Sequence, residues 1–313
     1  MVPRESSILI TGANGLVGSA LTKELVRQGY TNLCACDRAL CDLRNFDAVK
    51  SLFSRVRPDV VFHIAACVYG IGGNARYKGD VFLDNILMNT HVIEASRLCG
   101  TKKIVAMGTI AAYPSSVGSF VSEHQIWDGP PHDSENSYAH AKRAMLAQLI
   151  AYQEQYQLDF SYAISTNLYG PHDKFNPQCG HVIPSLIHKF YEAKKEGNPV
   201  CIWGDGSASR DFLYSQDMAR ALIYLMNNIT GPVNVASGKE TRIQEVVEVL
   251  TEYFGMQDRV QWEVDKPNGR KFFEVDLALL KATGFIPSFS VKAGLKETVE
   301  WFCSNYQDNM VRC

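Results

Sequence analysis

The sequence lacks several features that would point directly to a partner or a location. It has no excess of either charge: 31 lysines and arginines stand against 33 acidic residues, which gives a net charge of −2 and a pI of about 6.4. The basic residues are scattered, so nothing favours a nucleic acid as partner. No apolar run approaches the roughly 20 residues of a membrane span. The N-terminus has no basic segment followed by a long apolar run, so we expect no signal peptide.

Paired cysteine motifs are also missing. The nine cysteines are an odd number at irregular spacing, with no Cys-x-x-Cys pair among them. This pattern does not fit a zinc site, and we predict no metal site. Free thiols in a chain of 313 residues are typical of a reducing compartment, so we expect a cytoplasmic protein. The composition, 46% hydrophobic and 20% charged, is that of an ordinary globular protein.

What the sequence does contain is a regular alternation of short apolar runs and helical segments. "SSILITG" and "DVVFHIAA" are predicted strands, and the segments 19–30 and 84–100 are predicted helices. Strands that alternate with helices predict an α/β fold, here a Rossmann-type doubly wound parallel sheet with a smaller C-terminal substrate-binding lobe. We place the dinucleotide-binding domain at 1–170, with a return segment at about 211–238, and the lobe at 171–210 and 239–313.

A glycine-spaced turn follows the first predicted strand. In "ITGANGLVGSAL", Gly12, Gly15 and Gly18 lie between a strand and a helix. These glycines permit a tight turn, a close approach of the backbone to a pyrophosphate, and close packing of the helix on the strand. The helix N-terminus then presents free N–H groups to the anion. The motif predicts a dinucleotide cofactor.

Two adjacent residues bear on which dinucleotide is bound. Asp37 lies at the end of the second predicted strand, where a carboxylate accepts hydrogen bonds from a ribose 2′-hydroxyl and repels a 2′-phosphate. Arg38 favours the opposite choice, because a guanidinium pairs with that phosphate. Asp37 makes NAD(H) slightly favoured over NADP(H), and the alternative stays open.

Tyr138 and Lys142 lie four residues apart in "NSYAHAKRAMLAQLI", a predicted helix, and therefore share one face. A free phenol has a pKa of about 10 and is a poor acid–base group at neutral pH. We expect the neighbouring ammonium, together with an oxidised nicotinamide, to lower the pKa of the phenol. Lys142 can also hold the nicotinamide ribose. Downstream of a dinucleotide turn, this pair predicts redox catalysis.

Together these motifs resemble the extended short-chain dehydrogenase/reductase superfamily. Within it, the chain is similar to the branch of GDP-L-fucose synthases, which act on GDP-4-keto-6-deoxymannose as epimerase and reductase. The segments that carry this likeness are "VYGIGGN", "NLYGPHDKFNP", "HVIPSLIHKF", "WGDGSASRDFLY" and "KPNGR", which start at positions 68, 167, 181, 203 and 266.

The resemblance implies roles for individual residues. Tyr138 would protonate the C4 carbonyl oxygen as hydride arrives, and Lys142 would adjust the pKa of Tyr138. Thr109 would hydrogen-bond the same carbonyl oxygen. His181 would contact the substrate or act as an acid. The implied cofactor-binding residues are Gly12, Asn14, Gly15, Leu16, Val17, Asp37, Arg38, Asp42, Leu43, Ala65, Ala66, Tyr138 and Lys142. The implied nucleotide-sugar residues are Asn167, His181, Val182, Lys189, Trp203, Arg210 and Lys266, of which Lys189 and Arg210 suit a diphosphate.

One position departs from the family. The epimerising members carry a cysteine two residues before Tyr113, where its thiolate removes protons at C3 and C5, and this chain has Ala111. A methyl group is not a base, and loss of a general base lowers the rate by about 10²–10⁴-fold. Cys67 is a weaker candidate for the same role, since a small buried thiol is its simpler interpretation. We expect epimerisation to be absent or impaired.

We therefore predict an NAD(P)-dependent oxidoreductase that transfers hydride at C4 of a keto-deoxy sugar carried on a nucleoside diphosphate, most simply GDP. A nucleotide-sugar 4-epimerase or dehydrogenase with tightly bound NAD is the alternative, and a dinucleotide sensor without catalysis is a remote one. The resemblance also implies a homodimer in which the helices at 85–99 and 137–153 pair between subunits.

Overall fold

A six-stranded parallel sheet forms the centre of the computed structural model, which describes residues 1–68, 76–177, 180–266, 272–306 and 311. Its strands follow the order β2-β1-β3-β4-β6-β10, with every neighbouring pair parallel. The first crossover leads from β1 to β2, on one side of β1 in the strand order. The next leads from β2 to β3, on the other side of β1. A cleft is expected where this direction reverses, between β1 and β3 at their carboxyl ends. The six strands are Ile8–Thr11 (β1), Leu33–Cys36 (β2), Val60–His63 (β3), Lys103–Met107 (β4), Asp159–Ser165 (β6) and Gly231–Val235 (β10).

Nine α-helices connect and cover the strands in the part of the chain that the structure describes. The first four and α6 pack on the central sheet, and their apolar faces bury two separate clusters, one on each side. Both faces of this parallel sheet are thus covered, as the alternation predicts. The helices are Leu16–Arg27 (α1), Phe46–Val56 (α2), Lys78–Cys99 (α3), Asn136–Tyr156 (α4), Val182–Glu196 (α5), Ser215–Asn228 (α6), Ile243–Phe254 (α7), Ala278–Ala282 (α8) and Val291–Asn305 (α9).

The predicted fold class is confirmed, while some boundaries differ. Helix α3 begins at Lys78, several residues before the predicted 84–100 segment, because a glycine at its second position hides the start of the apolar pattern. Helix α1 begins at Leu16, directly after the glycine turn. Helical geometry therefore starts earlier in both cases than apolar periodicity indicates.

The second lobe is built around short strands and a core of its own. Helices α5, α7 and α9 pack against these strands around buried aromatic residues such as Phe175, Phe190 and Phe302. Its strands form one three-stranded sheet, β11-β9-β7, and the pair β12-β8, whereas the pair β13-β5 packs against the core of the central sheet. The strands are Phe120–Val121 (β5), Asn167–Tyr169 (β7), Val200–Trp203 (β8), Ser209–Tyr214 (β9), Glu240–Arg242 (β11), Val260–Glu263 (β12) and Glu274–Val275 (β13).

The two parts of the chain interleave. The return segment delivers β10 to the central sheet beside β6, as predicted. Residues beyond 272 also return, because β13 pairs with β5 and both Leu280 and Phe285 lie in the core that surrounds β1. The domain boundaries stay a prediction. No helix within the described ranges is long and apolar enough to cross a membrane.

Candidate active site

The glycine turn has the geometry that a dinucleotide cradle needs. Gly12 has φ +71°, and a Cβ there would lie 2.9 Å from the backbone of Ala65, two residues after β3. A Cβ on Gly18 would lie 2.2 Å from the carbonyl oxygen of Gly12, so α1 packs against the turn only because this residue has no side chain. The positive φ of Gly12 and the close packing at Gly12 and Gly18 explain why these two positions are glycines.

The third glycine lies where the anion would bind. Gly15 is the N-cap of α1, and as a glycine it has no side chain to occupy the free N–H groups of the first turn. The first turn also carries no acidic residue, so the positive end of the helix faces the cleft that Gly15 and Leu16 line. This end of the cleft fits a pyrophosphate.

At the adenosine end of the cleft, the carboxylate of Asp37 already has partners. Its Oδ2 accepts a hydrogen bond of 2.6 Å from the Asn14 amide, and its Oδ1 accepts one of 2.9 Å from the Leu40 backbone N–H. Arg38 is exposed and lines the same cleft. Asp37 thus holds the turn that presents Arg38, and both residues line the cofactor end of the cleft.

Asp42 has a local role as well. Its carboxylate pairs with Arg44 at 2.7 Å, and Arg44 reaches Asp84 on α3 at 3.3 Å. The Arg44 guanidinium lowers the pKa of Asp42 to about 2 by hydrogen bonding, so the carboxylate stays charged. This ion pair connects the loop after β2 to α3 beside the cofactor end of the cleft.

One continuous cleft of about 1450 Å³ brings the predicted site residues together. Its lining includes every predicted catalytic and cofactor residue, as well as Asn167, Val182, Lys189, Trp203 and Arg210. Lys266 is the exception: it is exposed and is not part of the lining. Residues 69–74 and 267–270, which belong to two of the resemblance segments, lie outside the described residues. The individual roles stay predictions.

Tyr138 and Lys142 lie in the first two turns of α4, on the floor of the cleft. The Lys142 side chain is 1% exposed, and its Nζ donates a hydrogen bond of 2.8 Å to the carbonyl oxygen of Met107 at the end of β4. The same Nζ lies 5.7 Å from the centre of the Tyr138 ring. The helical spacing places the two side chains on one face of α4, and the hydrogen bond to Met107 holds Lys142 in position.

The pKa shifts in this pair go opposite to our expectation. Burial raises the pKa of Tyr138 above its ordinary value, and the nearby Glu135 and Cys67 add to the effect. Burial also lowers the pKa of Lys142 to about 7. We expected the ammonium to lower the pKa of the phenol, but burial of both groups favours their neutral forms more strongly. A neutral phenol is a proton donor, which is the form that ketone reduction requires.

The loop after β4 presents Thr109 and Ala111 to the cleft. Thr109 Oγ1 accepts a hydrogen bond of 3.1 Å from the Ala111 backbone N–H. This bond does not use the proton of the Thr109 hydroxyl. Ala111 is 6% exposed and follows Thr109 in a 3₁₀ turn, Ile110–Ala112. Gly108 precedes the loop, and a Cβ there would lie 2.4 Å from the Tyr162 ring.

This loop is anchored from behind by residues outside the cleft lining. The Tyr113 hydroxyl is buried and donates a hydrogen bond of 2.6 Å to Asn234 Oδ1 on β10. Arg143 Nε donates to the carbonyl oxygen of Ala112 at 2.8 Å, and its NH1 donates to that of Gly129 at 2.7 Å. Tyr113 is thus a structural residue, and Arg143 is an anchor that the sequence analysis missed although it follows Lys142 directly.

Asn167, His181 and Val182 line the middle of the cleft. Asn167 begins β7, and His181 is the exposed N-cap residue of α5 with Val182 as the first helical residue. Arg210 lies on β9 nearby and donates a hydrogen bond of 2.6 Å to the carbonyl oxygen of Ser209. A helix N-terminus and a guanidinium at this place suit the anionic part of a substrate.

Lys189 and Trp203 form the far end of the cleft. Lys189 Nζ lies 5.7 Å from the centre of the Trp203 ring and donates to the carbonyl oxygen of Cys201 at 3.3 Å. Trp203 is 63% exposed, so it is not core filling, which was the alternative interpretation of this residue.

The structure adds several lining residues that the sequence analysis did not single out. Lys174 follows "NLYGPHD" and is a third cation in the cleft lining beside Lys189 and Arg210. Asp211 is buried and holds the loop at 237–239 through hydrogen bonds from Ser237, Gly238 and Lys239. Burial raises the pKa of Asp211. Other missed lining residues are Glu135, Ser185, Ile243, Phe272 and Phe273.

A fully buried histidine supports the floor of the cleft. His63 on β3 bonds to Thr11 Oγ1 and to Asn89 Oδ1, each at 2.9 Å. Burial, with the charge of Lys142 nearby, lowers the pKa of His63 to about 3, so the ring is neutral. Its role is therefore structural. Across the described residues, no group of three or more His, Cys, Asp or Glu side chains could hold a metal ion.

Comparisons with known proteins agree with this geometry. A model of the NAD dependent epimerase/dehydratase family matches residues 8–236. Over 308 residues, the chain is 36% identical to a putative GDP-L-fucose synthase 2 of Arabidopsis thaliana, in a match that covers 97% of this chain and 94% of that protein. The predicted resemblance is confirmed.

Solved structures extend the comparison. A GDP-L-fucose synthetase from Naegleria fowleri bound to NADP superimposes with a TM-score of 0.93 at 30% identity, covering 100% of this chain and 98% of that one. A GDP-mannoheptose C4 reductase from Campylobacter jejuni with NADP bound gives a TM-score of 0.87 at 27% identity, covering 97% and 100%. Both contain NADP, so the slight preference for NAD(H) is not supported.

Proposed function

We propose that this chain, which belongs to the NAD dependent epimerase/dehydratase family, reduces the C4 ketone of a GDP-linked keto-deoxy sugar without epimerising C3 or C5. Its relatives are NAD(P)-dependent enzymes that act on GDP-sugars, and the chain is an oxidoreductase of the short-chain dehydrogenase/reductase type. One observation carries the finer proposal: the cleft contains the Tyr138–Lys142 pair, whereas the position of the epimerase cysteine holds the methyl group of Ala111.

The proton in this reaction comes from Tyr138. A reduced nicotinamide, when bound in the cleft, would supply the hydride to C4. Tyr138 transfers its phenolic proton to the C4 oxygen, which becomes a hydroxyl, and the raised pKa of this tyrosine keeps that proton in place until the transfer. Thr109 is free to donate its own proton to the same oxygen, since its Oγ1 accepts from the Ala111 N–H.

Lys142 assists the proton transfer from Tyr138. Its Nζ is held against the Met107 carbonyl oxygen, within reach of the ring of Tyr138. When protonated, it stabilises the phenolate that remains after proton transfer, because opposite charges in a buried site attract strongly. It also places an N–H donor where the nicotinamide ribose would lie.

Epimerisation needs a base that this loop does not provide. Removal of a proton from C3 or C5 requires a thiolate, carboxylate or imidazole within hydrogen-bond reach of the carbon. Ala111 offers none. Cys67 lines the same cleft and is the alternative thiol near Tyr138.

The experiment is turnover in deuterated water. The purified protein is incubated with GDP-4-keto-6-deoxymannose and NADPH, and the product is analysed by NMR. We expect NADPH consumption, an alcohol at C4, unchanged configuration at C3 and C5, and almost no deuterium at either carbon. Deuterium at both carbons would contradict the reductase-only proposal, and its loss in Cys67→Ser would identify Cys67 as the base.

The proposed cofactor is NADP(H), and Arg38 is its selective residue. The Asp37 carboxylate is already engaged by Asn14 and Leu40, whereas Arg38 lies exposed on the cleft wall. A guanidinium there suits the 2′-phosphate. Binding of NADPH and NADH to the purified protein, measured by fluorescence, tests this assignment. Retention of stoichiometric NAD without net turnover would favour the 4-epimerase alternative instead.

We also propose the homodimer, with α3 and α4 at the interface. These two helices pack against one another on one face of the central sheet. Helix α3 exposes two large apolar side chains, Leu83 and Leu98, on the face opposite its buried residues. A helix that is apolar on two faces needs a second partner. Light scattering of the purified protein tests whether two copies associate.

A further inference from the structure

The far end of the substrate cleft opens into a second cavity. This groove, with a volume of about 360 Å³, shares Pro177, Lys189 and Trp203 with the lining of the main cleft. One wall is helix α5 and the other is the two-stranded sheet β8–β12. Because Lys189 and Arg210 are the proposed diphosphate residues, the nucleoside base would lie beyond them, in this groove.

The wall of the groove contains an exposed indole and a carboxylate side by side. In the parallel pair β8–β12, Trp203 lies directly opposite Glu263, and Cys201 lies opposite Gln261. Directly opposed residues of two paired strands point to the same face of the sheet. Along β8, Cys201 and Trp203 are exposed whereas Val200 and Ile202 are buried, so the exposed face carries Trp203 and Glu263 together.

We propose that Glu263 is a specificity-determining residue that selects guanine in the base stacked on Trp203. Guanine presents two adjacent donors, N1–H and the N2 amino group, which match the two oxygens of one carboxylate. Adenine presents an acceptor at N1, and uracil has acceptors on both sides of its single N–H. A carboxylate at this edge therefore favours guanine and disfavours the other two. This inference rests on the proposed function, and it names the residue that reads the base.

The position of Glu263 sets it apart from the other carboxylates of the groove. Glu192 and Glu196 lie on the α5 wall, and Glu196 also accepts a hydrogen bond of 2.8 Å from Asn198. Within the described residues, no side-chain hydrogen bond or ion pair engages the Glu263 carboxylate, whose backbone carbonyl accepts from Gly204 and Lys266. Glu263 is thus the carboxylate beside Trp203, and it is available to a ligand.

The test is nucleotide binding by calorimetry to the full chain loaded with NADPH. The probes are GDP, IDP and UDP, where IDP differs from GDP only by the missing N2 amino group. We expect the wild type to bind GDP more tightly than IDP or UDP. In Glu263→Gln, GDP affinity should fall by about 10- to 100-fold, because hydrogen bonds to a charged group are lost. IDP affinity should fall less and UDP affinity should not fall.

Two control variants separate this role from others. Glu196→Gln, on the opposite wall, should leave the preference for GDP unchanged. Trp203→Ala should weaken all three nucleotides by a similar factor of about ten or more, since stacking does not distinguish bases. Unchanged NADPH binding shows that each variant is folded. If Glu263→Gln disturbs folding, Glu263→Ala is measured in its place, and the wild-type ratio of GDP to IDP remains a test by itself.

The possible results distinguish the role of Glu263 from the proposed substrate. Equal affinity of the wild type for GDP and IDP, or a full preference for GDP in Glu263→Gln, would overturn the role of Glu263 while the proposed reductase stands. A wild type that binds NADPH but none of the three nucleotides would instead overturn the proposed substrate, and the inference with it.

Discussion

Replacement of Lys142 by methionine should abolish activity and yet make the folded protein more stable at neutral pH. The side chain is buried, and its only bond among the described residues is to the Met107 carbonyl oxygen. Burial lowers the pKa of Lys142 from 10.5 to about 7. At roughly 1.4 kcal/mol per pH unit, this gap destabilises the fold by about 4 kcal/mol at pH 7. Methionine has a similar length and carries no charge.

The sign of this effect changes with pH in a defined way. The unfolded chain binds a proton at Lys142 up to about pH 10.5, whereas the folded chain binds it only up to about pH 7. Wild-type stability therefore rises between these values, and the burial penalty falls to about 1 kcal/mol at pH 9.5. Against this gain, the variant leaves the Met107 carbonyl without its donor, which costs about 1–2 kcal/mol. We expect Lys142→Met to be more stable by about 2–3 kcal/mol at pH 7 and no more stable at pH 9.5.

Urea unfolding followed by circular dichroism at both pH values measures this difference. Lys103→Met is the matched control, because Lys103 is also buried but its Nζ pairs with Asp159 at 2.8 Å and with the Ile229 carbonyl oxygen at 2.6 Å. Burial lowers the pKa of Lys103 as well, but Asp159 opposes this shift, so the burial penalty that the variant removes is smaller than at Lys142. The variant also deprives Asp159 and the Ile229 carbonyl oxygen of this donor. Lys103→Met should therefore be no more stable than wild type at pH 7. A Lys142→Met protein that is less stable than wild type at pH 7, or whose difference from wild type does not change with pH, would refute the reasoning.

Four further changes test the proposed reductase. Ala111→Cys should introduce deuterium exchange at C3 and C5 at least tenfold above wild type, as measured by NMR, and no increase would show that a thiol at this position is not sufficient. Tyr138→Phe should lower kcat by about 10²-fold or more while leaving NADPH binding unchanged, and a fully active variant would remove the tyrosine from the mechanism. Arg38→Ala should raise the KM for NADPH by about tenfold and leave that for NADH unchanged; an equal change in both would argue against contact with the 2′-phosphate. Leu83→Arg on α3 should convert a dimer into a monomer in light scattering, and an unchanged dimer would place the interface elsewhere.

Local sequence patterns were sufficient for the central sheet and the cofactor end of the cleft. The order of strands and helices predicts a doubly wound sheet because crossovers in such sheets have one hand. The glycine turn is a local motif, so its geometry follows from neighbouring residues. Gly12 and Gly18 show the expected close contacts. The predicted catalytic pair also follows from helical spacing alone.

Long-range packing accounts for what the sequence did not reveal. The pKa of Lys142 depends on its burial against Met107 at the end of β4, and spacing within a helix cannot show how deeply a side chain lies. The hydrogen bond from Asn14 to Asp37 joins the glycine turn to the residue that follows β2, and no local pattern shows this bond. The proximity of Trp203 and Glu263 results from the pairing of two distant strands, which no local pattern encodes.

The anchoring of the active-site loop explains how one residue can separate two activities. Thr109 and Ala111 face the cleft, but the loop that carries them is held from behind by Arg143 and by the bond between Tyr113 and Asn234. None of these three anchors lines the cleft. The methyl group of Ala111 makes no hydrogen bond, so the loop does not depend on this side chain for its anchoring. Under the proposed function, a base is therefore absent at position 111 while Thr109 and Tyr138 stay in place for reduction.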